Sequence, residues 1–295
     1  MKQVIKIVLI TLISIAALCV IWYMVDGRKH DSATQYEPED VQAPNLNILS
    51  NHPVEVVVHR GATYAAPENT YAAAAECIRL GVDYVEVDVH KSMDGVHYII
   101  HDLTLDRTTN GKGPIFLRHS NYIDQLEAGT WYNERFRDEP VPRLREYLQW
   151  INGRAKVYLD VKTADLEKVI LMIRELKMEE SVFFWFGRDS MATDFNKLAP
   201  DLTLKMAARS FSELRRAIEE FDADMIECSL NKLTPEMIQL CRAHKVRIMT
   251  KGGDNSPEHF RRVMNSEAGL VNLGRPDIYI ETLRNTMEKH GQDEN

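Results

Sequence analysis

From Val54 onward the chain switches eight times from a short β-branched or apolar run to a helical stretch, and this alternation constrains the fold more than any other feature. The strand candidates begin near Val54 (VEVVV), Tyr84 (YVEVDVH), Lys156 (KVYLDV), Val182 (VFFWF), Leu202 (LTLKM), Asp224 (DMIEC), Val246 (VRIMT) and Gly269 (GLVNL). Helical patterns such as NTYAAAAECIRLG, DLEKVILMIRELK, FSELRRAIEEF and TPEMIQLCRAHK lie between them. Thr234-Pro235 and Ser256-Pro257 pair an N-cap residue with a proline at the first helical position. Eight such units in residues 51–295 predict a (β/α)8 TIM barrel. A doubly wound open sheet is the runner-up, but no G-x-G-x-x-G follows the first strand.

Strand starts recur every 20–30 residues except across one gap of 72. Within that gap Asp94-Gly95 is a tight-turn signal, and too few residues follow YVEVDVHK for a parallel crossover. Val96–Ile100 is therefore expected to fold back antiparallel on the second strand, with residue 101 roughly opposite residue 86. The stretch from Asp102 to Ala155 is then an insertion on the same rim, before the third barrel strand.

Ahead of the barrel, Ile7–Val25 is an uncharged run of 19 residues closed by Trp22 and Tyr23, long enough to cross a bilayer as one transmembrane helix. The run exceeds a signal-peptide core, and IWYMVDG offers no small-residue cleavage site. Cys19 invites lipidation, but Leu18 precedes it where a small residue is wanted. The expected organisation is an anchor over 1–25, a polar tether over 26–53 and a barrel over 54–295. The barrel is then held outside the cytoplasm, periplasmic or extracellular, by the N-terminal helix.

The first 30 residues are net +3 and the whole chain is net −8, so the remaining 265 are net −11. Such an acidic body repels phosphate backbones, which argues against a nucleic-acid partner but not against a small phosphate ester beside local cations or a metal. Cys77, Cys228 and Cys241 cannot all pair with one another and lack metal-type spacing, so they read as core residues.

In a TIM barrel the chemistry lies at the C-terminal strand ends. The first strand ends in His59-Arg60-Gly61, the second carries Glu86-x-Asp88, the third Asp160-x-Lys162, and the hairpin returns His101-Asp102. The two-residue repeat of a strand puts Glu86 and Asp88 on one face, and Asp160 and Lys162 on one face. Three carboxylates from adjacent strands make an oxygen-rich site for one divalent cation, Ca²⁺ or Mg²⁺. Two histidines beside it suit general acid and base work, and Arg60 and Lys162 add charge for an anionic substrate. Singly, each motif reads as a turn or a solvated face; jointly, at successive strand ends, they read as a site. His30, His52, His90, His97, His119, His244, His259 and His290 read as surface or structural.

HRGATYAAPENT, then VEVDVHKSMDGVHYIIHDLTLDRTTNGKGPI, then LDVK, resembles the glycerophosphodiester phosphodiesterase family over about Val54 to Arg284. The resemblance implies a metal-dependent TIM barrel that hydrolyses glycerophosphodiesters to glycerol 3-phosphate and an alcohol. It implies His59 and His101 as the acid/base pair, Glu86, Asp88 and Asp160 as metal ligands, and Arg60 and Lys162 as phosphate contacts. Glu68 and Asn69 of Pro67-Glu68-Asn69-Thr70 buttress the site in this reading, with Asp102 in support. Departures from the family pattern are Asp160 in place of the usual Glu, Met249-Thr250-Lys251-Gly252 at the seventh barrel strand, and Gly274-Arg275-Pro276-Asp277 at the eighth. Three other readings compete: a lysophospholipase D-like phosphodiesterase at the membrane, with Trp131, Tyr132 and Phe136 meeting an acyl chain; a non-catalytic phosphate-binding barrel; and a barrel glycosidase, whose activity would survive metal removal.

Overall fold

The computed structural model describes residues 37–44, 48–50 and 52–293. The Ile7–Val25 run lies outside the described residues, among which no helix is long and apolar enough to cross a membrane.

The strands are β1 (Glu55–Val58), β2 (Tyr84–Lys91), β3 (His97–Ile99), β4 (Lys156–Val161), β5 (Val182–Phe186), β6 (Thr203–Ala207), β7 (Met225–Glu227), β8 (Arg247–Lys251) and β9 (Leu270–Leu273). They run in the order β1-β9-β8-β7-β6-β5-β4-β2-β3, and β1 also pairs with β2. That last pairing closes the eight parallel strands into a barrel, with β3 added antiparallel on β2. All eight strand expectations hold, and the open-sheet alternative fails because the sheet has closed.

The connecting helices are α1 (Tyr71–Leu80), α2 (Leu144–Ile151), α3 (Leu166–Glu175), α4 (Asp189–Leu198), α5 (Phe211–Glu219), α6 (Pro235–His244), α7 (Pro257–Met264) and α8 (Pro276–Asp293). The caps follow the sequence signals. Thr70, Ser210, Thr234 and Ser256 each accept a backbone N–H three residues on, and Pro235 and Pro257 occupy first-turn positions where a missing N–H does no harm.

Inward-facing side chains fill the barrel in layers. Val57, Tyr84, Tyr158, Phe183, Met225, Met249 and Leu270 form one apolar layer. Below it Lys156 Nζ lies 2.8 Å from Glu55 Oε1 and Arg247 pairs with the same carboxylate, plugging the N-terminal end. Cys77, Cys228 and Cys241 are free and buried, as core residues should be.

Two boundaries differ from expectation. Residues of the supposed tether pack on the barrel: Val41 and Leu49 are buried, Glu39 pairs with Arg79 and accepts Trp150 Nε1–H at 3.1 Å, and Asp40 lies 2.8 Å from Arg154. A polar segment adheres here because its few apolar side chains find cover and its charges find partners. Within the 102–155 stretch, α2 packs as part of the helical ring, its Tyr147 against Tyr71 of α1. The cap ahead of α2 has its own small core of Tyr98, Ile100, Leu105, Ile115, Ile123, Leu126, Ala128 and Val141.

Candidate active site

Two residues above the apolar layer, the inward positions turn polar strand by strand. Val57 is followed by His59, Tyr84 by Glu86 and then Asp88, Tyr158 by Asp160, Phe183 by Trp185, Met225 by Glu227, Met249 by Lys251 and Leu270 by Asn272. The strand repeat of two therefore delivers a ring of functional groups at the C-terminal mouth.

Glu86, Asp88 and Asp160 each offer an oxygen within 4.8 Å of the others, a grouping able to hold a metal ion. Asp88 and Asp160 are register neighbours on β2 and β4. Glu86 and Asp88 are 2% and 1% exposed, so water cannot screen their repulsion. Burial, followed by Asp88 and Asp160, pushes the Glu86 carboxyl well above its usual range. Burial raises Asp160 to about 6 against the pull of Lys162. Asp160 Oδ1 is buried and without a hydrogen-bond partner. An orphaned carboxylate oxygen among three crowded carboxylates fits a hard cation.

Lys162 and Arg60 attend the same carboxylates. Lys162 Nζ lies 2.5 Å from Asp160 Oδ2 and 3.1 Å from Asp88 Oδ1, and Arg60 Nε lies 3.4 Å from Asp88 Oδ2. Burial alone would lower the Lys162 pKa, but Asp88 and Asp160 outweigh it and raise it. Arg60 follows β1 in the left-handed region, φ 58°, and its N–H donates to Glu86 Oε2 at 2.6 Å. Gly61 continues the turn at φ 78°, where an added Cβ would lie 2.7 Å from Ala73 Cβ, so only glycine fits. Asn69, also left-handed at φ 59°, donates Nδ2–H to Asp88 Oδ2 at 2.9 Å and accepts the Asp88 N–H at 3.2 Å. Two strained non-glycine residues thus aim groups at the carboxylates.

The two histidines differ in setting. His59 opens onto the mouth, yet the surrounding protein withholds enough water to push its pKa down, and Arg60 adds to this. The same imidazole senses the charges of Asp88, His101 and Glu227. His101 arrives from the hairpin, its Nδ1 2.7 Å from Asp102 Oδ1. The hairpin register pairs Val89 with Ile99, which sets residue 101 opposite 87, one residue from expectation. The reason is a three-residue loop, Met93–Gly95, with Gly95 left-handed at φ 83°. Because β3 ends at Ile99, His101 is positioned by side-chain contacts instead of by the ladder: His90 Nε2–H donates to His101 O at 3.1 Å, and Thr163 Oγ1 lies 3.1 Å from His90 Nδ1. His97, also read as structural, is buried and held neutral, its pKa pushed down to about 4 by burial.

Several contributors carried no distinct signal in the sequence. Arg107 lies inside TLDRTTNG but nothing there assigns it a part. Its Nε and NH2 donate to Asp102 at 2.7 and 3.0 Å, while NH1 and NH2 donate to Glu68 at 2.9 and 2.8 Å. Glu68 in turn accepts Arg60 NH1 at 3.1 Å. One guanidinium thus ties the orientation of His101 to that of Arg60. Arg107→Ala is expected to lower kcat by about 10–100-fold through misplacement, with the melting temperature little changed because the side chain is 43% exposed. Arg107→Lys should not rescue, since an ammonium cannot form two parallel pairs. Steady-state kinetics beside thermal melts check this, and full activity in the alanine variant would refute it. Glu227, Lys251 and Asn272 could have been found by extending the two-residue repeat to β7, β8 and β9; Lys205, a cation in the middle of LTLKM, was a further signal.

The model of the Glycerophosphoryl diester phosphodiesterase family matches residues 59–197. A glycerophosphodiester phosphodiesterase of Caldanaerobacter subterraneus is 30% identical over 237 residues, covering 78% of this chain and 97% of the relative. One from Bacillus subtilis is 27% identical over 258 residues, covering 79% of this chain and 87% of that protein. The crystal structure of a glycerophosphodiester phosphodiesterase from Agrobacterium tumefaciens matches with TM-score 0.73 and 38% identity, covering 77% of this chain and 98% of that one. An Oleispira antarctica phosphodiesterase, solved in complex with the product sn-glycerol-3-phosphate, shares the fold at TM-score 0.68 and 22% identity, covering 78% of this chain and 96% of that one.

Proposed function

The chain belongs to the glycerophosphoryl diester phosphodiesterase family, and from that premise we propose that it hydrolyses glycerophosphodiesters to glycerol 3-phosphate and an alcohol with two histidines and one divalent cation. The observation that carries this reading is the convergence at one rim of His59, His101 and three carboxylates whose oxygens lie within 4.8 Å of one another.

Glu86, Asp88 and Asp160 would hold the cation, Ca²⁺ or Mg²⁺. When bound, it supplies positive charge against a phosphate oxygen and the charge that builds there in the transition state. Arg60 and Lys162, both beside Asp88, bind the remaining phosphate oxygens. Asp102 accepts from His101 Nδ1–H, fixing the tautomer and leaving Nε2 for proton transfer. His59, held neutral by its surroundings, is ready to exchange a proton at neutral pH. One histidine takes the proton from the attacking hydroxyl and the other gives one to the departing alkoxide. Asn69 and Arg107 keep these groups in register. The test is release of glycerol 3-phosphate from glycerophosphocholine by the purified protein with added divalent cation. Absence of product at any cation tried removes the proposal.

A lysophospholipid is the second reading, favoured by exposed apolar side chains on the cap: Leu103 49%, Phe116 44%, Leu117 59% and Trp131 42% exposed. Release of choline from lysophosphatidylcholine tests it.

The membrane assignment rests on the length and lack of charge of Ile7–Val25: it acts as an uncleaved anchor, with the barrel outside the cytoplasm. A reporter that works only after export, fused after Asn295, is expected to be active, and an inactive fusion would contradict the orientation.

A further inference from the structure

Lys205 and Glu227 form an ion pair inside the barrel that the proton-transfer chemistry above leaves unused. Lys205 is 1% exposed, and its Nζ lies 2.9 Å from Glu227 Oε2. A buried ion pair is rarely a better stabiliser than apolar side chains of similar volume, so the place of Glu227 in the functional ring points to the cavity that it lines.

That cavity, of about 310 Å³, lies at the mouth beside His59 and is lined by Glu227, Lys251, Asn272 and the backbone of Gly252 and Gly253. Burial would raise the Glu227 pKa, but Lys205, Lys251 and the Asn272 amide together hold it below the usual range, so the group is an ionised acceptor. Asn272 Oδ1 is a second acceptor, buried and without a hydrogen-bond partner. The exposed Lys251 supplies donors at the rim. Acceptors on the floor and donors at the rim suit a group that both gives and takes hydrogen bonds, which is what a hydroxyl does.

A quaternary ammonium fits poorly. It would need an open aromatic face, and the rings here already carry cations. Lys205 Nζ sits 4.8 Å from the Tyr158 centroid and 5.1 Å from that of Trp185, and Lys162 Nζ sits 5.4 Å from Trp185. Lys251 would also repel it.

Building on the phosphodiesterase reading, we propose that the cavity beside His59 is the subsite for a polyhydroxylated arm of the diester, with Glu227 accepting hydrogen bonds from its hydroxyls and Lys205 serving to keep Glu227 in place. Glu227 is thus a substrate-binding residue that the motifs read from the sequence do not include.

The experiment compares glycerophosphoglycerol, rich in hydroxyls, with bis(p-nitrophenyl) phosphate, which has none. Glu227→Gln is expected to raise KM on glycerophosphoglycerol on the order of 10-fold or more, the loss of a hydrogen bond to a charged group. On bis(p-nitrophenyl) phosphate KM should change less than about twofold, while any change in kcat through the charge that His59 senses should be shared by both substrates. Because Glu227→Gln leaves the Lys205 ammonium unpaired, the double variant Lys205→Met/Glu227→Gln removes both charges together and should show the same split. Equal changes of KM on the two substrates, or none on either, overturn the subsite. Wild-type protein that releases no glycerol 3-phosphate from glycerophosphoglycerol overturns the phosphodiesterase reading and the subsite with it.

Discussion

His59→Ala and His101→Ala are each expected to lower kcat by ~10²–10⁴-fold, the usual size of a positioned proton transfer, while fold and metal content remain. Neither side chain is part of the buried core, and neither belongs to the carboxylate group. The two losses should differ in kind. A p-nitrophenolate leaving group needs little protonation, so the variant lacking the acid should recover on a p-nitrophenyl diester and the variant lacking the base should not. Asp102→Asn should mimic His101→Ala in part, because it removes the carboxylate 2.7 Å from Nδ1 without emptying the site. If either histidine can be removed with less than about tenfold loss on both substrate types, the two-histidine mechanism does not apply to this protein.

Asp88→Asn is expected to be as damaging. Asp88 is 1% exposed and gathers Arg60, Lys162 and Asn69 around itself. With the divalent cation lost, the stabilisation of several kcal/mol that a metal gives to phosphoryl chemistry goes too, roughly 10³-fold in rate. The readouts are metal content at stoichiometric loading and activity before and after chelation. Added cation should also raise the melting temperature of the wild-type protein, since it binds the folded state and relieves crowded carboxylates. Asp88→Asn should show no such rise. Full activity in metal-free protein would rule out the cation.

Strand and helix positions were legible because barrel strands are buried on both faces and read as near-continuous apolar runs of fixed spacing. Each of the eight runs became a strand within two residues of its expected start. The hairpin was legible from Asp94-Gly95, but its register was not. A two-residue and a three-residue loop share the same glycine signal, and only the backbone decides between them. The packing of residues 38–44 and 48–50 on the barrel is not legible in the sequence because it depends on distant partners such as Arg79, Trp150 and Arg154. No local pattern encodes those meetings.

Read along the chain, the residues already specify the barrel, the layer of strand ends at which chemistry collects, and the side chains there: His59, Glu86, Asp88, His101, Asp160 and Lys162. Strand periodicity is local, so a two-residue repeat read along the chain is enough to assign a face. Folding settled which of these groups touch. It placed Lys162 on Asp160 and Asp88, hung Asp102 from Arg107, set Asn69 against Asp88 from another loop, and matched Lys205 with Glu227 across β6 and β7. Those contacts depend on the closure of the barrel, the left-handed turns at Arg60 and Asn69 and the exclusion of water, which act over residues far apart in the chain. The same closure moves the Glu86 and Asp160 carboxyls upward, because desolvation and like-charge crowding exist only once the three strands stand side by side.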